Sequence, residues 1–301
     1  MQKILGSVIR YRVFYTMLIP VLAYYVIFHY IPMAGLLVAF KDYSLTKGIW
    51  ESPWVGFDNF RKVFSTPEFF AIMKNTLLIS IYRMVFNMVP DVLLALMLNE
   101  IRVVWFKRTV QTITYGPYFL SWVIVYGLAF AFLAPGSGIV NQWLNSAGEH
   151  PIDFLSNSDF FRSLLILTDL WKSVGFGAII YLAALAAINP ELYEAALVDG
   201  AGRFRQIWHI SIPGIANVFV LLLILRLGHI LDAGFEQVYI FLNSRVNSVG
   251  EIIDTWVFRR GIEQLDISVA AATGFFKSVI GFTLVIASNK IAKKLGGSGL
   301  W

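Results

Sequence analysis

Six long, mainly apolar runs of residues constrain this chain more than any other feature. They lie at about 13–40, 75–98, 109–133, 161–188, 212–232 and 267–289. Each has the roughly 20 residues that a helix needs to cross the hydrocarbon core of a bilayer. Only 14% of the residues are charged, whereas soluble chains carry about a quarter charged residues. The sequence therefore predicts an all-α membrane protein with six transmembrane helices in a single domain, residues 1–301, and excludes a soluble enzyme.

The charges between the runs indicate an orientation. Lys and Arg are denser in the connections on the N-terminal side of the membrane than in three longer segments on the other side, about 41–74, 134–160 and 233–266. By the positive-inside rule, we expect both termini in the cytoplasm. The first run follows Arg10 and Arg12 and is too long for the core of a signal peptide, which favours a retained helix. Aromatic residues in the outer segments fit either an interfacial belt or a landing surface for a partner.

The connection between the fourth and fifth runs, residues 189–213, has a distinct pattern. Asn189 followed by Pro190 is a typical N-cap and first-turn pair, so a short helix should begin there. Gly200 permits a sharp turn, and Asp199 before it is suited to cap the free amides of a second helix. The segment therefore predicts two short helices that meet at Asp199 and Gly200.

These two predicted helices differ in their apolar faces. The first helix has a slim apolar face of Leu192, Ala195 and Ala196. The second has a bulky one of Phe204, Ile207 and Trp208. The residue types alone leave two interpretations open. The segment either fits a groove in another protein or lies on the lipid surface as an amphipathic connector.

The same connection resembles the EAA loop of ABC importer permeases, the element that docks on an ATPase subunit. The residues that carry the resemblance are Glu194, Ala195, Ala196, Asp199, Gly200, Ala201, Phe204, Ile207, Ile210 and Pro213. Elsewhere, the binding-protein-dependent sugar branch of these permeases is resembled by Val55–Phe60, Trp171–Lys172 and Leu182–Leu185. Leu231–Gln237 and the ending Gly299–Trp301 resemble the subset of that branch that imports polysaccharide fragments such as alginate.

The resemblance implies the permease fold of a type I ABC importer in a bacterial inner membrane, with an acidic, alginate-like oligosaccharide as substrate. The implied partners are a second, related permease, two ATPase subunits at the cytoplasmic face, an extracytoplasmic solute-binding protein and the surrounding lipid. The residues implied to couple this chain to the ATPase are Glu194, Ala195, Ala196, Asp199, Gly200, Phe204 and Ile207.

We expect no catalytic residue, cofactor or metal site in this chain. It has no Gly-rich phosphate loop ending in Lys-Ser or Lys-Thr, so ATP and Mg²⁺ are expected on the partner ATPase subunits. It has no cysteine, and its four histidines are scattered over separate segments. The basic residues lie mostly between the apolar runs, which argues against nucleic-acid binding.

Charged and polar residues inside the runs are candidates for a substrate pathway, because a charge at bilayer depth should face protein or water. Aromatic faces suit pyranose rings, and donors suit hydroxyl or carboxylate groups. The pathway candidates are Arg83, Asn87, Asp91, Trp171, Lys172, Asp232, Gln237 and Lys277. We expect Lys172 and Lys277 to hold a substrate carboxylate. The alternative for each residue is contact between helices, and Asp169 is spaced to pair with Lys172.

Two other classes of function stay open on the residues alone. An ion-coupled secondary transporter would use Asp91, Asp169 or Asp232 as its ion carriers. A membrane scaffold would only recruit a cytoplasmic partner through residues 190–212. Co-purification of an ATPase favours the importer, whereas transport that needs an ion gradient and no ATP favours the secondary transporter.

Overall fold

The computed structural model describes residues 11–294. Arg10 and the ending Gly299–Trp301, used above for orientation and resemblance, lie outside these residues, as do both termini. In the described range the regular elements are helices, and the one β-type contact is an isolated bridge between Lys41 and Trp54. The predicted all-α fold is confirmed.

The α-helices, numbered in chain order, vary from single turns to more than thirty residues. They are α1 Arg12–Tyr25, α2 Gly48–Glu51, α3 Asp58–Ser65, α4 Phe69–Glu100, α5 Val104–Tyr115, α6 Trp122–Leu133, α7 Ile139–Ser146, α8 Ser158–Ala186, α9 Pro190–Val198, α10 Arg203–Gln206, α11 Ile212–Gly228, α12 Phe235–Phe241, α13 Asn247–Gly250, α14 Ile253–Phe258 and α15 Ile267–Lys294. Tighter or wider turns extend several of them, at Val26–Tyr30, Ile31–Phe40, Gly116–Phe119, Ile207–Ser211 and Arg259–Glu263.

Five helical stretches are long and apolar enough to cross a membrane. They are Arg12–Phe40, Phe69–Glu100, Ser158–Ala186, Arg203–Gly228 and Ile267–Lys294. A bent pair, Val104–Phe119 and Trp122–Leu133, makes a sixth span if the two helices count as one. The six predicted runs therefore correspond to five continuous helical stretches and one broken helix.

The third run, expected at 109–133, bends by 104° between its two helices. Pro117 has no backbone N–H and its ring opposes a continuing α-helix, so the chain tightens into a 3₁₀ turn there. Leu120 and Ser121 are then extended, and the Ser121 hydroxyl accepts a hydrogen bond from the Ile124 amide at 3.4 Å, which caps α6. The apolar composition continues across this break, so hydropathy alone does not reveal it.

The fifth run, expected at 212–232, belongs to a longer helix. The helix begins at Arg203, passes through a π turn at Ile207–Ser211 and ends at Gly228. Pro213 lies in the first turn of α11, directly after the wider π turn that takes up its missing hydrogen bond. The second helix of the connection and the fifth span are therefore one continuous helical stretch.

The chain divides into two compact units, and the predicted single domain stays a prediction. One unit runs to Thr66 and includes Val257–Phe276, and the other holds Pro67–Trp256 and the chain from Lys277 on. In the first, Phe40 stacks on Trp54 with ring centroids 5.5 Å apart. In the second, α4 lies along α8. A buried cluster of that second unit includes Ile79, Phe161, Leu165, Val238 and Ile252.

Candidate functional site

The connection at residues 189–213 contains the two predicted helices, α9 and α10. The Asn189 side chain accepts a hydrogen bond from the Glu191 amide at 3.1 Å, and Pro190 occupies the first turn of α9. Past the end of α9, Gly200 has φ +70°, a left-handed conformation that glycine adopts at little cost. The sequence pattern thus located both the start and the end of the first helix.

The predicted cap of the second helix by Asp199 is wrong. The N-cap residue of α10 is Gly202, and no side chain caps that end. The residues between close the first helix instead: the Ala201 amide donates to the Ala196 carbonyl at 2.8 Å. The Ala201 carbonyl accepts a hydrogen bond from Gln206 Nε2 at 2.9 Å, so the turn is held from the second helix as well.

The connection presents large apolar side chains outward. The exposed fractions are 89% for Val198, 80% for Phe204, 64% for Leu197 and 61% for Trp208. Of the residues assigned to coupling by resemblance, Glu194, Ala195, Asp199, Gly200 and Phe204 are exposed, and Ala196 and Ile207 are half-buried. Apolar groups of this size at the surface of a polar turn are typical of a binding surface.

Inside the membrane-spanning helices, Arg83 of α4 forms an ion pair with Asp169 of α8. Arg83 Nε donates to Asp169 Oδ2 at 2.9 Å, and Nη2 donates to Oδ1 at 2.5 Å. Asn87 Nδ2 donates to the same carboxylate at 2.7 Å, and Arg83 Nη1 donates to the Ala233 carbonyl at 2.5 Å. Asp169 therefore pairs with Arg83 in a bidentate geometry and not with Lys172, the alternative partner that the spacing allowed.

Lys172 contacts the break in the third span. Its Nζ donates to the Tyr118 carbonyl at 2.5 Å and lies 5.1 Å and 5.4 Å from the ring centroids of Tyr118 and Trp122. Phe176, one turn further along α8, stacks on Tyr118 with centroids 3.9 Å apart. Trp171, a neighbouring pathway candidate, is 46% exposed.

Asp91 of α4 is paired with Arg226 of α11. Arg226 Nη2 donates to Asp91 Oδ2 at 3.0 Å, and Asp91 is fully buried. Gly177 of α8 makes room for this carboxylate, because a methyl group at Gly177 would overlap it. Opposite charges on α4 thus tie this helix to two neighbours, with Arg83 bound to α8 and Asp91 bound to α11.

Lys277 of α15 lies between two acids. Its Nζ donates to Asp254 Oδ1 at 2.6 Å and forms an ion pair with Asp232. His229 Nδ1 is 2.9 Å from Asp232 Oδ2. Asp232 lies past the end of α11, where burial favours a raised pKa, but the hydrogen bonds from Lys277 and His229 outweigh burial and lower the pKa of Asp232.

Gln237 of α12 is fully buried. Its Nε2 donates to the Leu165 carbonyl at 2.7 Å and to Thr168 Oγ1 at 2.8 Å. These bonds fasten α12 to α8, which is the helix-to-helix alternative considered for each pathway candidate.

A polar cavity of about 300 Å³ lies among α4, α8 and the end of α11. Its lining residues are Ser80, Arg83, Met84, Asn87, Asp169, Ser173, Arg226, His229, Ile230 and Asp232. A neighbouring cavity of about 400 Å³ is lined by both Asp232 and Lys277. The structure therefore brings together Arg83, Asn87 and Asp232 from the predicted pathway.

Five polar lining residues, Ser80, Asp169, Ser173, Arg226 and His229, are absent from the predicted pathway. The sequence spacing could have indicated Ser80. Ser80, Arg83 and Asn87 are separated by three and four residues, so they share one face of a helix. The contribution of Arg226 depends on packing between distant helices, which spacing within one helix does not show.

Comparisons of sequence place the chain among transport proteins. The sequence model of the family described as "Binding-protein-dependent transport system inner membrane component" matches residues 70–296. Protein LplB of Bacillus subtilis (strain 168) is 46% identical over 287 residues, which cover 95% of this chain and 90% of LplB. The polygalacturonan/rhamnogalacturonan transport system permease protein YteP of the same organism is 44% identical over 300 residues, covering 100% and 94% of the two chains.

Two solved structures share the fold. One is a bacterial ABC transporter involved in the import of the acidic polysaccharide alginate, with a TM-score of 0.90, 37% identity, and coverage of 97% of this chain and 99% of that chain. The other is the bacterial alginate ABC transporter in complex with an alginate pentasaccharide-bound periplasmic protein, with a TM-score of 0.90, 37% identity, and coverage of 98% and 99%. The chain therefore belongs to the binding-protein-dependent transport system inner membrane component family, the permease components of ABC transporters.

Proposed function

We propose that this chain is a permease subunit of an ATP-driven importer that takes up acidic oligosaccharides. The observation that carries the proposal is the likeness over nearly the whole chain to a transporter of the acidic polysaccharide alginate. A second relative is named for polygalacturonan, which is also a polymer of a uronic acid. Among the importer, the ion-coupled secondary transporter and the membrane scaffold, we therefore propose the importer.

The polar cavity supports this proposal. Arg83 and Asn87 of α4 and Asp232 beyond α11 border it inside a protein whose helices are otherwise mainly apolar. Polar groups at that depth are costly unless they face water, protein or a polar substrate. We assign these three residues to the substrate pathway, and the predicted roles of Asp91, Trp171, Lys172, Gln237 and Lys277 in it stay predictions.

We assign coupling to the exposed connection at 189–213. Val198, Phe204 and Trp208 offer the apolar anchors that helix-in-groove docking uses, and Gly200 shapes the turn between the helices. The partner at this surface is an ATPase subunit, which supplies ATP and Mg²⁺ binding. The remaining proposed partners are a second, related permease and an extracytoplasmic binding protein, with the connection and both termini in the cytoplasm.

Reconstitution tests the proposal. The chain is co-expressed with its second permease and ATPase, purified, and placed in liposomes with the binding protein and a labelled oligouronate. We expect ATP-dependent uptake and sugar-stimulated ATP hydrolysis. Uptake that persists without ATP and collapses with an ion gradient would contradict the importer, and uptake of neutral sugars alone would contradict the acidic substrate.

A further inference from the structure

We infer that Arg226 is the residue of this chain that binds the carboxylate of a uronate sugar ring, with Asn87 and Ser80 accepting hydrogen bonds from its hydroxyl groups. The site is the polar cavity of about 300 Å³ among α4, α8 and the end of α11. The inference rests on the proposed function and names the substrate group and the residues that recognise it.

Three other bases inside the spans, Arg83, Lys172 and Lys277, are already bound. Arg83 forms a bidentate pair with Asp169 and also donates to a backbone carbonyl. Lys277 is shared by Asp232 and Asp254, and Lys172 donates to the carbonyl that precedes the break in the third span. A substrate carboxylate would have to displace these partners, so none of the three is a ready binding group.

Most N–H donors of Arg226 make no hydrogen bond among the described residues. A guanidinium group carries five N–H donors in a planar fork that matches a carboxylate. Within residues 11–294, Arg226 makes one hydrogen bond, from Nη2 to Asp91. The Arg226 side chain is 37% exposed, whereas the Asp91 side chain is 2% exposed. Arg226 is therefore the more accessible partner of the pair, and its remaining N–H donors are available to a ligand.

Two buried acceptors in the cavity wall are also unused. Asn87 Oδ1 and Ser80 Oγ have no hydrogen-bond partner among the described residues, and the two residues are only 8% and 7% exposed. A buried polar atom that makes no hydrogen bond destabilises the folded protein, so such atoms need a partner. Asn87 Nδ2 is held by Asp169, which leaves Oδ1 as the free acceptor for a sugar hydroxyl.

The acids in the wall do not repel an anion strongly, because each has a basic partner. Asp169 is bound by Arg83, and Asp232 is bound by Lys277 with His229 beside it. The volume is at the low end of the range for small-molecule pockets, which suits one sugar ring of a longer chain. The cavity thus combines one available guanidinium with hydroxyl acceptors at a size fit for a single uronate.

Direct binding tests this assignment. A labelled oligouronate and its carboxyl-reduced, neutral counterpart are dialysed to equilibrium against the detergent-purified complex, without the binding protein. The variant is the double substitution Arg226→Gln with Asp91→Asn, which removes both charges and leaves an amide pair, so that no buried acid is stranded. We expect about tenfold weaker oligouronate binding by this variant and unchanged binding of the neutral sugar.

The control variant, Arg245→Gln with Asp153→Asn, removes an ion pair in the outer segments, away from the cavity. The complex with this variant should bind both sugars like the unmodified complex. Ser80→Ala, which leaves every charge in place, should weaken both sugars alike. Equal losses for the two sugars in the Arg226 variant, or no oligouronate binding by the unmodified complex, would overturn the assignment. ATP-dependent uptake of the oligouronate by the unmodified complex is measured in parallel. Failure of that uptake contradicts the proposed function. If uptake occurs and the Arg226 variant binds the oligouronate normally, this inference alone is contradicted.

Discussion

At the scale of single residues, Lys172 stabilises the break in the third span. The 3₁₀ turn before the break ends at Phe119, and carbonyls near a helix end lack the intrahelical partners found in its interior. Lys172 Nζ donates to one of them, on Tyr118, and its charge is favourable at a helix C-terminus. The ring contacts with Tyr118 and Trp122 add cation–π attraction. We attribute the fixed geometry of the bend to this side chain.

Replacing Lys172 with Met should therefore destabilise the protein. The change removes the hydrogen bond from Lys172 to the Tyr118 carbonyl, and a hydrogen bond from a charged donor contributes about 1.5 to 3 kcal/mol, while the side chain keeps a similar length. The measurement is the midpoint of thermal unfolding of the purified complex in detergent. Lys172→Arg retains the charge and the ring contacts and should recover most of the loss; an unchanged midpoint in the Met variant would refute this role.

Lys277 offers a second test, through its two acids. Lys277→Met strands Asp232 and Asp254 without their shared base, so the complex should unfold at a lower temperature. Adding Asp254→Asn removes one of the stranded charges and should restore part of the midpoint. If the two substitutions instead lower it additively, the residues do not interact and the ion pair is unimportant for stability.

Sequence reasoning predicted that charges inside the spans face protein or water, but not which partners they have. Asp254 lies in an outer segment, more than twenty residues before Lys277, and the partner of Lys172 is a backbone carbonyl. Neither contact follows from spacing on one helix. Both arise when distant segments pack, which is why Lys172 and Lys277 were expected to hold substrate and Arg226 was not.

At the scale of elements, one helical stretch links the connection at residues 189–213, proposed to couple to the ATPase, with the cavity. It runs for 26 residues from Arg203 to Gly228, about 39 Å at 1.5 Å per residue. Arg226 lies near its far end and lines the cavity, and the exposed Phe204 lies near its start. A displacement of the connection by an ATPase would therefore reach Arg226 through a single element.

The turn before this helix provides the test. Gly200→Val places a β-branched residue at φ +70°, where it is strongly strained, so the turn should change shape. We expect less co-purified ATPase and less sugar-stimulated ATP hydrolysis, with normal insertion of the chain. Gly200→Asn is the matched control, because Asn tolerates the left-handed conformation and should retain most of both. Normal values in the Val variant would make the connection a lipid-surface element.

Helix signals in the sequence were reliable where they were local. The cap at Asn189 and the turn at Gly200 were located because both depend on adjacent residues. The failed cap by Asp199 and the bend after Pro117 depended on how the chain continues over several residues, and apolar composition is the same on both sides of the bend. Hydropathy reports the length and polarity of a segment, and it carries little information on where the helix axis changes direction.

At the scale of the whole molecule, orientation rests on charge. The connections predicted to face the cytoplasm are denser in Lys and Arg, and the assignment of residues 189–213 to ATPase coupling requires that side. The three longer segments, about 41–74, 134–160 and 233–266, would then face outward, where a binding protein delivers substrate. If the orientation in the membrane were reversed, both assignments would be wrong. A single test of the orientation therefore tests both.

Single cysteines provide that test, because the chain contains none. Asn145 and Ser244 are exposed in the two later outer segments, and Val103 is 52% exposed in a connection predicted to be cytoplasmic. Asn141 is unsuitable, since it is fully buried and its amide donates to three carbonyls, including that of Ile152. We expect an impermeant thiol reagent added to intact cells to label Asn145→Cys and Ser244→Cys and to spare Val103→Cys until the membrane is permeabilised. Labelling of Val103→Cys alone in intact cells would invert the orientation and exclude ATPase docking at residues 189–213.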